Sequence, residues 1–439
     1  MIDTVIEAMN TVKSSADANE VLPRPTILIL AGYYLPGYKA GGPIRSIRNL
    51  AAALATEFHF RIVTLDRDLG DKSPFPGIVA NRWVRVDHAD VMYLRPGCRG
   101  VLGMWTLLRS VDRNTVLYLN SFYSRRFSML AALMRWLKLC RPRCVALAPR
   151  GELSSGAMRF KRRRKLLYIK ISRWLGLHGG LIWHASSGFE AADIRRQFPL
   201  AKYVDIEGVV PGLDASDGKK WPSEVAVASD IADVPSPERR NRRSKRPGHL
   251  RSVFVSRCTR KKNLAGALCM LERVSGDVSF DIYGPAEDAE YWRECLGLIA
   301  ALPANIRVRY WGEIEHEKIG QVFAEHELFF FPTLSENYGH VICEALASGC
   351  PVLVSDQTPW RNLEAEGVGW DIPLGETERF RSVLQHCVDG DDEWYAALST
   401  RAMDYAAKRA SNPEIIDANR RLFQRAFAWP EPCCFSRDL

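Results

Sequence analysis

The chain has 439 residues, 47% hydrophobic and 25% charged, with a formal net charge of +9. That length exceeds one ordinary core and predicts two domains, and the composition is that of a globular chain rather than a disordered or fibrous one. The excess of Lys and Arg predicts a polyanionic partner such as nucleic acid, anionic lipid or a phosphorylated small molecule, while eleven cysteines without Cys-x-x-Cys or Cys/His zinc spacing read as reduced thiols rather than a disulfide framework.

Residues 1–24 carry no basic leader followed by an apolar block, and no uncharged apolar stretch is long enough to cross a bilayer. They are read as an N-terminal extension of a cytoplasmic protein. The first apolar run, 26–31 (TILILA), ends at Gly32, and a helix is expected over about 44–56. Further strand candidates are FHFRIVTL, TVLYLN at 115–120, CVALAP and LIWH at 181–184, separated by helical patterns at 125–138 and 157–175. Apolar strands alternating with amphipathic helices predict a parallel sheet covered on both faces, here a domain over 25–215.

The stretch 216–249 is rich in Pro, Ser and like charges and reads as a linker or flexible insertion. The alternation restarts with RSVFVS (251–256), VSFDIYG (278–284), NIRVRYWG (305–312), ELFFFP (327–332) and PVLVSD (351–356). These define a second α/β domain over 250–410, also Rossmann-like and doubly wound. The last segment, 411–439, is expected to carry a helix that crosses back to the first domain. Ligands of such sheets bind beyond the carboxyl ends of the strands, and every chemical motif below follows a predicted strand.

In PTLSENYGHVICEALASGCPVLVSD (332–356), a strand is followed by a polar loop and a helix from about Gly339 to Ser348, with Glu336 in the loop and Glu344 on the helix. Amides at such a helix N-terminus address an anion. Two carboxylates beside a diphosphate must address something else, and sugar hydroxyls fit. The competing reading is a solvated helix residue and a helix cap. In VFVSRCTRKKNL (253–264), a strand delivers Arg257, and Lys262 follows at a helix start, with Lys261 as its alternative. A guanidinium and an ammonium there would stabilise the charge left on a departing diphosphate.

The 332–356 block closely resembles the Glu-x7-Glu signature of the retaining glycosyltransferases of family 4, enzymes of GT-B fold. The resemblance implies that Glu336 contacts the donor sugar, Glu344 contacts the ribose, and the amides of Tyr338, Gly339 and His340 face the donor. It makes Arg257 and Lys262 the diphosphate pair. It makes Gly41 and Gly42, in YYLPGYKAGGPIRSIRNLA, the glycine loop over donor and acceptor, with Arg45 and Lys39 within reach of the same anion. Gly284 matches a family glycine near the base, and packing explains it equally well.

The chain departs from the family where many members carry a His in the first domain. The comparable segment reads APRGELSSGAM, in which Arg150 is expected to bind phosphate or acceptor and Glu152 to orient an acceptor hydroxyl. His184 reads as a core histidine. Asp66-Arg67-Asp68 reads as a loop rather than a metal site, and neither a cofactor nor an essential metal is expected. The basic run KRRRK followed by LLYIKISRWLGL makes 159–175 either a contact for an anionic membrane surface or a solvated basic face.

The resulting expectation is hexosyl transfer from a nucleoside diphosphate sugar to a glycan, lipopolysaccharide or lipid-linked hydroxyl, with retention. The enzyme would be cytoplasmic or peripheral on the inner face of the plasma membrane. The rival readings are an epimerase or hydrolase on the same fold, or a nucleic-acid binder, for which no aromatic-basic module is visible.

Overall fold

The computed structural model describes residues 24–159, 161–204, 223–233 and 244–430. Nearly all of the expected N-terminal extension, half of the expected linker, and the end of the chain with Cys433 and Cys434 therefore lie outside the described residues.

The first sheet runs β1 (Thr26–Leu30), β2 (His59–Leu65), β3 (Trp83–Val86), β4 (Ala89–Leu94), β5 (Thr115–Leu119), β6 (Cys144–Leu147), β7 (Ile182–Ala185), β8 (Lys202–Val204) and β9 (Glu224–Val227), in the spatial order β3-β4-β2-β1-β5-β6-β7-β9-β8. All pairings are parallel except β3 with β4. This β3–β4 hairpin was not expected from the sequence, because half of β3 faces solvent and its apolar residues form no run. The central strands are buried on both faces, which is why they read as unbroken apolar runs.

The helices of this unit are α1 (Gly42–Leu54), α2 (Cys98–Arg109), α3 (Leu130–Trp136), α4 (Ser155–Met158), α5 (Arg162–Leu175) and α6 (Gly188–Gln197). The helix expected at 157–175 is divided: α4 ends at Met158, and α5 opens behind Lys161, whose backbone is left-handed (φ 51°). One apolar layer gathers Met104 and Leu108 of α2, Ala131 and Met134 of α3, Ile169 of α5 and Ala191 of α6 on a single face of the sheet. The opposite face carries α1.

The second sheet comprises β10 (His249–Val255), β11 (Asp277–Tyr283), β12 (Ile306–Gly312), β13 (Leu328–Phe331), β14 (Val352–Ser355) and β15 (Gly369–Ile372), all parallel, in the order β12-β11-β10-β13-β14-β15. Its helices are α7 (Leu264–Leu271), α8 (Ala289–Ala301), α9 (His316–Ala324), α10 (His340–Ala347), α11 (Thr377–Asp389) and α12 (Asp392–Ala410). The strand order reverses between β10 and β13, whose carboxyl ends lie level because Val253 pairs with Phe329. Loops leaving two such strands diverge to opposite faces and leave a crevice. The motifs at 257–263 and 332–339 are those two loops.

Two boundaries differ from expectation. Residues 224–227, inside the expected linker, pair with both β7 and β8 and belong to the first sheet. Lys245, also inside it, is buried beneath the second unit and donates to the Arg246 and Val388 carbonyls at 2.9 and 3.2 Å. A surplus of charge masked both: the apolar stretch 224–228 is only a few residues long, and a buried Lys looks like any other in sequence. α13 (Pro413–Phe427) leaves the second unit and packs Leu422, Phe423 and Ala426 into the first, on the α1 face. There Phe423 meets Phe58, Phe60 and Tyr118.

Phe423→Ala removes that anchor from a closed aromatic cluster. It is expected to destabilise the first unit by about 3–5 kcal/mol, read as a lowered thermal midpoint. A midpoint unchanged from wild type would mean that α13 does not dock on this sheet.

Candidate functional site

The two crevice loops are tied to each other before any ligand arrives. The Leu334 amide and the Thr333 hydroxyl both donate to the Lys261 carbonyl (2.9 and 3.2 Å), and Asn263 Nδ2 donates to the Pro332 carbonyl (2.8 Å). The Glu336 amide donates to the Gln357 carbonyl at 2.9 Å. The loops so fixed bring the Lys262 ammonium onto the Glu336 carboxylate, both side chains less than 15% exposed (12% and 14%). Burial pushes the Glu336 pKa up, but the Lys262 and Lys261 ammoniums outweigh it and hold the carboxyl below its ordinary range. Burial, and then the charge of Lys262, push Lys261 down to about 8. Lys261 has no ion-pair partner among the described residues, so two ammoniums share one carboxylate. Arg257, at the end of β10, is close enough to depress Lys261 further; its half-exposed guanidinium lies 3.6 Å from Glu287.

Two helix N-termini converge beside these cations. α10 opens at Gly339 (φ 81°) and α1 at Gly41 (φ 71°), and neither has a side-chain cap or an acidic residue in its first turn. A Cβ on Gly42 would stand 3.4 Å from the His340 ring, so the two ends nearly touch across the cleft. Among the described residues the amides of Tyr338, Gly339 and His340 donate no hydrogen bond. The loop is braced from behind by Trp360, whose indole donates to the Tyr338 carbonyl at 2.6 Å. Uncapped helix starts with free amides are ready-made anion sites.

Glu344, on α10, pairs with Arg45 of α1 across the cleft through Oε1, while its Oε2 is buried without a partner. Arg45 also donates to His316 Nδ1 at 2.9 Å. Burial and the adjacent Arg45 push His316 down to about 4, which keeps its Nδ1 free to accept. One oxygen of Glu344 is therefore held by Arg45 and the other awaits a donor.

The largest surprise is Asp230, just beyond β9. It is buried, paired with the Arg150 guanidinium, and accepts from Ser46 Oγ at 2.7 Å. Ser46 Oγ lies 2.9 Å from His340 Nε2, so the network crosses from the first unit to the start of α10. Behind it, Arg150 donates to Asn120 Oδ1 (2.7 Å) and to the Tyr118 hydroxyl (3.0 Å). Tyr118 and His184 Nδ1 are 2.7 Å apart, and His184 Nε2 is 2.9 Å from the Ala228 carbonyl. A carbonyl can only accept, so Nε2 carries the proton and Tyr118 donates to Nδ1. His184 is thus a satisfied, neutral core histidine.

Several expected site residues are placed differently. Arg150 is buried on Asp230 rather than open to an anion. Glu152 accepts from the Ser121 hydroxyl and from the Phe122 and Tyr123 amides (2.6 and 2.9 Å), so it braces a loop instead of meeting an acceptor. Gly284 has φ 129°, and a Cβ there would stand 2.0 Å from the Ser256 carbonyl oxygen, so packing of the β10 and β11 ends requires the glycine. Asp68 accepts from the Tyr38, Lys39 and Leu69 amides (2.7, 3.0 and 2.7 Å), a loop brace, and Lys39 pairs with Asp71. Among the described residues no group of His, Cys, Asp and Glu is placed to hold a metal ion. Asp230 was missed because it sits in a charged stretch, although a polar residue directly after the short apolar run EVAV is a usable signal.

Asp230→Ala leaves the Arg150 guanidinium buried without its counter-ion. It is expected to cost about 3–5 kcal/mol, with Asp230→Asn costing visibly less in the same denaturation measurement; equal, small losses would remove Asp230 from the centre of the network. Burial and neighbouring guanidiniums push both His184 and His340 down to about 4. The unfolded chain then binds protons that the folded one refuses between about pH 6.5 and 4, so stability is full above that window and falls as pH drops through it. Each histidine contributes up to about 2 kcal/mol between pH 7 and 5, and the thermal midpoint should fall accordingly, less steeply in His184→Gln. Asp230, whose carboxyl is held low, acts only below this window.

Residues 236–391 match the model of the family described as glycosyl transferases group 1. The chain is 23% identical over 215 residues to the phosphatidyl-myo-inositol mannosyltransferase of Mycobacterium leprae (strain TN), an alignment covering 45% of this chain and 55% of that one. The chain spans about half or less of the length of the curated relatives it matches. Among solved structures, HepE of Anabaena in complex with UDP-glucose superposes with a TM-score of 0.62 at 16% identity, covering 91% of this chain and 98% of that one. The sucrose-phosphate synthase of Thermosynechococcus elongatus does so with a TM-score of 0.64 at 16% identity, covering 92% and 99%. The fold is GT-B, two parallel α/β sheets facing a cleft, and the segment 236–391, which carries the second sheet, is the part that resembles the group 1 glycosyl transferases.

Proposed function

We propose that this chain is a retaining glycosyltransferase of family 4 type, moving a hexosyl group from a nucleoside diphosphate sugar to a hydroxyl of a glycan, a lipopolysaccharide or a lipid-linked saccharide. The observation that carries the reading is the convergence, at the carboxyl ends of β10 and β13, of Lys261, Lys262 and Arg257 with one intervening carboxylate and two uncapped helix starts. That is an anion site with more positive charge than the protein itself matches. A diphosphate supplies the missing counter-charge, and charge accumulating on it as the sugar departs is stabilised further by the same groups.

Glu336 then addresses the sugar and, through Lys262, is held ionised for hydroxyls to donate to. The unpartnered Oε2 of Glu344 accepts a ribose hydroxyl while Arg45 holds the other oxygen. The donor amides are those of Tyr338, Gly339 and His340, with Gly41 and Gly42 opposite. Transfer on one face of the sugar, with the leaving phosphate taking the acceptor proton, requires from the protein only orientation and charge stabilisation. No metal is needed, because Lys and Arg fill the electrostatic role. The HepE complex was solved with UDP-glucose, which makes UDP-sugars the first donors to try. The acceptor approaches from the first unit, whose basic helix α5 faces an anionic membrane surface on the cytoplasmic side.

The test is thermal stabilisation by a panel of UDP-, GDP- and ADP-sugars and their bare diphosphates. A ligand at a hundred times its Kd adds about 2.7 kcal/mol, so at least one donor and its diphosphate should raise the midpoint by several degrees. Arg257→Ala and Lys262→Ala are expected to abolish the rise. Glu336→Ala should impair turnover much more than binding of the bare diphosphate; equal loss of both would remove its role at the sugar. Donor breakdown that proceeds at full rate without acceptor would favour a hydrolase on the same fold.

A further inference from the structure

The net excess of positive charge in this chain lies within one segment. Residues 95–180 hold nineteen Lys and Arg against two acidic residues, Asp112 and Glu152, leaving 41 basic against 49 acidic residues in the remainder. That segment builds α2, α3 and α5, which cover the same face of the first sheet. Their inner residues are buried, but their outer surface is apolar as well. Leu167, Ile171 and Trp174 recur at helical spacing along α5, Trp174 being 84% exposed, and Leu102 of α2 with Trp136 and Leu137 at the end of α3 are exposed too. α3 is fastened to the turn after α5 by Arg135, which donates to the Gly179 and Gly180 carbonyls (2.9 and 2.6 Å). Arg126, just before α3, donates to the Arg95 and Gly97 carbonyls at the start of α2 (3.3 and 3.2 Å). The three helices therefore form one braced surface rather than separate flexible arms.

The basic run divides by role. Lys165 turns inward, donating to the Ala157 carbonyl at 2.7 Å and lying over the Tyr123 ring. Arg162, Arg163 and Arg164 are exposed and have no ion pair among the described residues. An ordinary solvated basic face has no reason to expose Trp and Leu between its arginines, and a nucleic-acid groove would interleave them for stacking on a concave track rather than along the outside of a helix layer. Apolar side chains flanked by arginines on a surface helix match the boundary between lipid headgroups and acyl chains.

We infer that the outer face of α2, α3 and α5 is a docking surface for an anionic lipid bilayer, entered by Trp174, Ile171 and Leu167 and held by Arg162–Arg164. This deepens the reading of a lipid-linked acceptor and rests on it for its purpose, whereas docking itself needs no catalysis. The surface lies on a helix layer of the first sheet, and the cleft opens at the strand ends, so binding leaves the donor side of the cleft uncovered.

The test is flotation of the full chain with vesicles of phosphatidylcholine, with and without phosphatidylglycerol, at low and at moderate salt. Expected is partition onto the anionic vesicles alone, weakened by salt. Neutralising Arg162, Arg163 and Arg164 to Gln should weaken it roughly a hundredfold, and Ile171→Ser with Trp174→Ser by at least about tenfold. All these side chains are exposed, and stabilisation by UDP, measured on the same variants, should be unchanged. Equal partition onto neutral vesicles, or no partition at low salt, overturns the inference. So does self-association through this face by light scattering, or oligonucleotide binding that survives the Trp174 change without vesicle binding. Failure of every nucleotide sugar to stabilise a chain that still floats with anionic vesicles would sink the transferase reading and leave docking standing.

Discussion

Lys261 and Lys262 share the single carboxylate of Glu336 in a place where burial removes most of the water that would otherwise screen them. One ion pair is satisfied, and the second ammonium is held near the limit of remaining charged. The imbalance follows from the chain path: β10 and β13 are neighbours, their carboxyl ends are level, and their loops are hydrogen-bonded together by the Lys261 carbonyl. A loop tied by its own backbone cannot swing its ammonium away to solvent. The site is therefore most comfortable with an anion present, and binding relieves an electrostatic cost already present in the fold.

The contact between the two halves is polar. Arg45 on Glu344, Ser46 beside His340, and Ser154 on Ser335 at 3.2 Å all cross the cleft as hydrogen bonds or ion pairs. Close approach is enforced by glycine, since a Cβ on Gly151 or Gly156 would stand 3.1 Å from Asn337 or Ser335. Polar interfaces of this kind separate more easily than apolar ones, and among the described residues the apolar strap between the halves is α13, docked on the first sheet. The architecture thus permits opening for exchange of ligands, while the Asp230 network makes closure a discrete, hydrogen-bonded state. Because Asp230 is itself fixed by Arg150, and Arg150 by Tyr118 and Asn120, the reference point for closure is the core of the first sheet rather than a surface loop.

Strand positions, and the polar loops that follow them, could be read from the sequence of the second unit. The second-sheet strands are buried on both faces, so they appear as apolar runs, and the polar residues after them fall at the cleft. The positions of Arg257, Lys262, Glu336 and Glu344 beside the cleft were legible for that reason, while their roles belong to the proposal. Arg150 and Glu152 obey the same rule and were misplaced, because a strand-end position says nothing about whether a charge points into the cleft or back into the loops. Glu152 finds three donors within its own neighbourhood, and Arg150 finds Asp230, some eighty residues later. Asp230 was hidden by its surroundings: a four-residue strand with polar, charged flanks gives too little periodicity to stand out from a linker. The β3–β4 hairpin was lost in the same way, through a half-exposed edge.

The net charge of the chain and the charge in its cleft turn out to be separate matters. In the cleft, Lys262 is paired with Glu336, Arg45 with Glu344 and Arg150 with Asp230, so the local excess comes down to Lys261. A site of this kind discriminates by position, and it would look the same in an acidic protein. Far more uncompensated charge lies on the outer helices of the first unit, where Arg162–Arg164 are exposed and have no ion pair among the described residues. Charge held apart from the site in this way adds little to the affinity for a small diphosphate at physiological ionic strength, because separations beyond about 8 Å are largely screened. It acts strongly only on an extended polyanion that can meet many arginines at once. The composition pointed to a polyanionic partner, and the charge behind that expectation falls in two places, most of it on the outer helices of the first unit and one ammonium without an ion pair among the described residues, Lys261, in the cleft.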